Sequence, residues 1–177
     1  MASTRSRSRI GAVLVAALAF TLTACFPQPP GAPAGVLDLG PLGSYGAAPS
    51  RLFANAFHLH SEPAHLVRLS ISAQDGTDRW GGLTIERSGP GSEAVLPQVG
   101  EYASGVDGWS VYVTADHRQH EVTSLSITEI SYGPGVDQSA GPTTEMAYPV
   151  TQLRGTFTFV LENGDEATGS IRVDTAG

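Results

Sequence analysis

The chain has 177 residues, with 10 basic and 17 acidic side chains, one cysteine and no lysine. That length suits one domain preceded by a leader and a linker, and a single cysteine excludes an internal disulfide. The acidity argues against nucleic acid as a partner and against a protein surface that clings to anionic lipid.

The first nine residues hold Arg5, Arg7 and Arg9 and no acid, and residues 10–22 are almost wholly apolar. A basic start followed by a short apolar run is the pattern of an export signal. The run falls short of the roughly 20 apolar residues that cross a bilayer as a helix, and Pro27, Pro29 and Pro30 stop it. The segment Leu22-Thr23-Ala24-Cys25 closes it. This segment resembles the lipobox of bacterial lipoproteins. The resemblance implies cleavage before Cys25, so that residues 1–24 are a signal peptide. It also implies a diacylglyceryl group on the Cys25 thiol, with acyl chains such as palmitate. The expected location is the extracytoplasmic face of the cell membrane, with the lipid on Cys25 as the link to the envelope. Loss of residues 1–24 removes Arg5, Arg7 and Arg9, and leaves 153 residues with a net charge of −10. Such a surface is repelled by anionic headgroups, so the lipid must hold the protein at the membrane.

Residues 25–50 carry six prolines and five glycines with no apolar period. They read as a lipid-anchored linker. Within them Val36-Leu37-Asp38-Leu39 has the pattern of a short strand. From Arg51 to the end, residues 51–177, the chain alternates. Val67, Leu69, Ile71 and Ala73 point one way; so do Trp109, Val111, Val113 and Ala115; so do Leu125 and Ile127; so do Phe157, Phe159 and Leu161. A period of two marks strands with one buried face. Turn signals separate the runs at Asp75-Gly76, Ser88-Gly89-Pro90-Gly91, Asp107-Gly108, Gly133-Pro134-Gly135 and Asn163-Gly164. No helical period is sustained. The expected fold is all-β, an antiparallel sandwich or small barrel.

The last hairpin allows a register argument. A two-residue turn at Asn163-Gly164 would set Phe159 opposite Thr168 and Phe157 opposite Ser170, core against polar. A three-residue loop, Glu162-Asn163-Gly164, sets Phe159 opposite Ala167 and Phe157 opposite Gly169, and requires Gly164 in the left-handed region. The second register is expected, with Gly169 leaving space for the Phe157 ring. The segment from Leu153 through Gly155-Thr156-Phe157 to Asn163-Gly164, with Gly169-Ser170-Ile171-Arg172-Val173 after it, looks like the closing strands of uncharacterised bacterial lipoprotein β-domains. That resemblance implies a fold and no activity.

The sequence offers little for catalysis. Gly108-Trp109-Ser110-Val111-Tyr112 lacks the closing glycine of a nucleophile elbow, and no phosphate-binding glycine loop occurs. The five histidines fall in two groups: His58, His60 and His65, then His117 and His120. On a strand His58 and His60 share a face. His117, His120 and Glu121 belong to a strand-joining stretch at 116–121. Neutral imidazoles with a carboxylate suit zinc or copper, so His58, His60, His117, His120 and Glu121 are candidate ligands. Trp80, Trp109, Tyr102 and Tyr112 are candidates for stacking on a sugar, with Trp109 placed in the core by its neighbours. The acidic stretch 162–166 lacks the spaced ligands of a calcium loop and reads as a turn. The sequence therefore points to a non-catalytic binding or structural role without a cofactor, and to zinc or copper binding as the alternative.

Overall fold

The computed structural model describes residues 33–46, 52–61, 64–75, 77–89, 95–139 and 144–175. The signal peptide expected at 1–24 and Cys25 lie outside the described residues. Eleven strands follow one another: β1 (Pro33–Asp38), β2 (Ser44–Tyr45), β3 (Leu52–Ser61), β4 (Ala64–Gln74), β5 (Trp80–Gly89), β6 (Gly100–Tyr102), β7 (Trp109–Ala115), β8 (Arg118–Tyr132), β9 (Val136–Asp137), β10 (Thr144–Val160) and β11 (Glu166–Thr175). Among the described residues one 3-10 turn, at Gly40–Leu42, interrupts them.

Six of these strands close a ring. β3 pairs with β4, β4 with β5, β5 with β7, β7 with β8, β8 with β10, and β10 returns to β3, all antiparallel. The all-β expectation thus takes the form of a closed six-stranded barrel with added strands. Closure depends on the two longest strands, each of which changes partner along its length. β8 pairs with β7 through Glu121 and with β10 from Val122. β10 pairs with β3 as far as Pro149 and with β8 and β11 beyond it. Pro149 has no N–H to give a ladder, and a register shift follows between Val150 and Gln152. A proline beside a bulge is where a strand can bend out of one sheet into another. The Pro149 carbonyl still accepts the Gly133 N–H at 2.8 Å. Outside the ring, β11, β1 and β2 extend from the second half of β10, β6 flanks β8, and β9 flanks β10.

The alternating positions face the interior as their period requires. Val67, Leu69, Ile71, Ala73, Val111, Val113, Leu125, Ile127, Phe157 and Phe159 are all buried. Burial of each larger side chain contributes roughly 1.5–3 kcal/mol, which makes this interior the main source of stability.

The linker reading needs correction between residues 33 and 46. β1 pairs along its whole length with β11, and Leu37, Leu39 and Tyr45 are at most 1% exposed. The domain therefore already includes β1 and does not start at residue 51. Of the prolines and glycines that suggested a tether, those at 40–46 serve tight passage. Pro41 lies in the 3-10 turn, Gly40, Gly43 and Gly46 have positive φ, and the Gly46 N–H donates to the Gln74 carbonyl at 2.9 Å. The Tyr45 ring lies over Gly81, where any Cβ would overlap it. This segment plugs one end of the barrel.

The closing hairpin has the expected register. Phe159 pairs with Ala167 and Phe157 with Gly169. Gly164 has φ +87°, and its N–H donates to the Leu161 carbonyl at 2.9 Å. A Cβ at Gly169 would overlap the Phe157 ring.

Candidate functional site

With one end plugged by Leu37, Leu39 and Tyr45, the other end of the barrel gathers the polar interior positions. The β3–β4 register sets Ser61 opposite Ala64, His60 opposite His65 and His58 opposite Val67. Val67 faces the core, so His58, His60 and His65 continue the inward face past the last apolar layer. Arg87 pairs with both Val67 and Trp109, which brings it to the same rim. Met146 on β10 stands opposite His58.

The three imidazoles are close. His60 Nδ1 lies 3.0 Å from His65 Nδ1, so one ring donates to the other. The His58 and His65 rings stack at 5.9 Å. His58 Nε2 is buried and has no hydrogen-bond partner. Burial, and then the nearby His65 and His60, hold the His58 pKa below its ordinary value, so His58 is neutral at physiological pH. Beside the histidines the Arg87 guanidinium sits 4.7 Å above the Trp109 ring, and Tyr102 meets Trp109 edge-on at 5.2 Å. On the flank, Leu96, Gln98, Val99, Ile130, Tyr132 and Tyr148 line an open groove of about 610 Å³. The Tyr132 hydroxyl donates to the Pro97 carbonyl, and burial pushes its pKa well above the ordinary phenol value.

The second histidine group is elsewhere. Asp116 and His117 form the two-residue turn between β7 and β8, both with positive φ, and Asp116 takes a two-pronged ion pair from Arg79. His120 is not an exposed loop residue: it is 6% exposed, with Nδ1 3.3 Å from the Val160 carbonyl and its ring edge-on to Phe159. Glu121 alternates to the outer face. His120 is in register with Val113 and through it with Leu83, whereas His65 is in register with Gly89. Six residues of β5 separate those rows, about 20 Å along the strand. Ligands of one ion each lie ~2 Å from it, so His58 and His60 do not share a centre with His117, His120 and Glu121. Among the described residues no three His, Cys, Asp or Glu side chains are grouped as a metal site.

The aromatic candidates also divide. Trp109 is partly buried against the core and joins Tyr102 at the histidine end. Trp80 is at the plugged end, 42% exposed, stacked on Phe53 at 6.0 Å. The acidic stretch 162–166 is the hairpin turn, with the Asn163 side chain accepting the Asp165 N–H at 3.1 Å.

Sequence reasoning grouped His65 with His58 and His60 without offering it as a ligand, and it missed Arg87 and Phe53. A hairpin count from Ser61 and Ala64 would have set His65 opposite His60. Arg87 and Phe53 carry no such signal, because each depends on which strand lies alongside. No family model, curated protein or solved structure matches this chain.

Proposed function

We propose that the chain is an exported lipoprotein, held at the outer side of the membrane by acyl chains on Cys25, whose barrel works by binding at its surface and not by catalysis. One observation carries this reading beyond the lipobox pattern: β1 begins at Pro33, eight residues after Cys25. Eight residues span at most about 27 Å, so the anchor would hold the folded domain within that distance of the bilayer. The barrel interior is packed with Leu, Ile, Val and Phe side chains, and this reading puts the partner at its surface and rim.

The test is metabolic labelling with a palmitate analogue. The wild-type chain should take the label and sediment with membranes. Cys25→Ser should lose the label and either stop processing or release the domain. A serine variant that still takes the label, or that is cleaved and yet partitions with membranes as the wild type does, would overturn the lipoprotein reading.

A further inference from the structure

The plugged end of the barrel carries two large aromatic side chains on its outside. Phe53 is 49% exposed and Trp80 is 42% exposed, and their rings stack 6.0 Å apart at an interplanar angle of 26°. Single exposed apolar residues are ordinary, but two stacked aromatics on an outer sheet face are a contact surface left uncovered by the described residues. Neither contributes to the core, whose β3 residues are Leu52, Ala54 and Ala56.

Their position relative to the chain entry is specific. β1 passes across the starts of β3 and the end of β4. A Cβ on Gly35 would touch Leu52 at 3.0 Å, and the Gly46 N–H bonds the Gln74 carbonyl at 2.9 Å. Phe53 follows Leu52, and Trp80 pairs with Gln74. Pro33 is two residues before Gly35, so the stacked pair and the point where the chain enters the fold occupy one corner. Cys25 lies only eight residues further back.

We propose that Phe53 and Trp80 are the membrane contact of this domain, seated in the interfacial region of the bilayer that holds the Cys25 acyl chains. The proposal rests on the lipoprotein reading. Tryptophan favours the bilayer interface, where the ring meets acyl carbon and the indole N–H meets water and headgroups. Two aromatics would bind a bilayer weakly from solution. A short tether makes the contact intramolecular, at an effective concentration in the millimolar range, so weak partitioning is enough. Among the described residues Arg79, next to Trp80 in sequence, is ion-paired with Asp116, and Asp75 and Asp78 occupy the same turn. The contact offered by the described residues is therefore apolar, and suits zwitterionic lipid. It would orient the barrel with its plugged end on the membrane and the His58, His60 and His65 rim directed away.

The experiment places the acylated chain, extracted from membranes, in phosphatidylcholine vesicles carrying bromine high on the acyl chains. The protein has two tryptophans, so Trp109→Phe leaves Trp80 as the reporter and Trp80→Phe leaves Trp109. Trp80 emission should shift to the blue and be lost to the brominated lipid, while Trp109, at the far end, should keep its emission. Phe53→Ser in the Trp109→Phe background should lose the Trp80 quenching but remain vesicle-bound. If the cell does not acylate Cys25, the lipoprotein reading fails by itself. The docking proposal is then decided on the chain from Cys25 coupled through its thiol to a maleimide phospholipid. A vesicle-bound chain whose Trp80 stays open to acrylamide and insensitive to bromolipid overturns the proposal and leaves the pair for a soluble partner.

Discussion

His58 is the residue whose chemistry changes most on folding. In the unfolded chain its imidazole takes a proton near pH 6.5. In the fold, burial and two neighbouring imidazoles lower that pKa, and Nε2 is left without a partner. The unfolded state therefore binds more protons than the native state as pH falls through about 6.5, and stability falls with pH across that window. The loss levels off below the folded pKa, where both states are protonated. Thermal melts should show a lower midpoint near pH 5.5 than near pH 7.5, above the range in which carboxylates titrate. His58→Gln should flatten that difference. An undiminished drop in the glutamine variant would assign the pH dependence to other groups.

At the scale of an element, the β10–β11 hairpin shows how a loop and a strand pair constrain each other. Gly164 has φ +87° and open space around its Cβ direction. A side chain there meets no neighbour, so its whole cost is backbone strain. Gly164→Val should destabilise the domain by about 1–2 kcal/mol, and Gly164→Asn by less, because asparagine tolerates the left-handed region. Equal denaturation midpoints for glycine and valine would mean that the loop relaxes to another turn. The strand pair imposes the register from its side. A one-residue slip would turn Phe157 and Phe159 out of the core and set a Cβ against the Phe157 ring in place of Gly169.

Across the whole molecule, the segment 33–46 determines whether the barrel is a finished domain. Leu37, Leu39 and Tyr45 together bury enough surface to contribute roughly 5–8 kcal/mol, comparable to the net stability of a domain this size. A fragment of residues 51–177 should therefore be unfolded or molten at 25 °C, whereas a fragment of 33–177 should melt cooperatively. Circular dichroism melts of the two decide it. A cooperative transition of the shorter fragment at the same temperature would show that the plug is dispensable. The ring of six strands also explains the separation of the histidines. β5 and its neighbours run from one end of the barrel to the other, so residues near opposite strand ends are held about 20 Å apart by the same hydrogen-bond ladders that close the barrel.

Local pattern alone determined the strands, their inward faces and the last hairpin. Val67 to Ala73 alternates because a pleated strand has a period of two, and Glu162-Asn163-Gly164 sets its own register because loop length and side-chain facing are coupled over a few residues. Leu37 sat among prolines and glycines, and nothing local reveals that β11, more than 130 residues later, offers it a partner. The same limit applied to His120, which spacing placed beside His117 and the fold turned inward against Phe159. It applied to Phe53 and Trp80, whose contact depends on β3, β4 and β5 lying side by side. Which strands become neighbours, and which end of a barrel a side chain reaches, follow from long-range pairing and shared burial, and those exist only once the ring has closed.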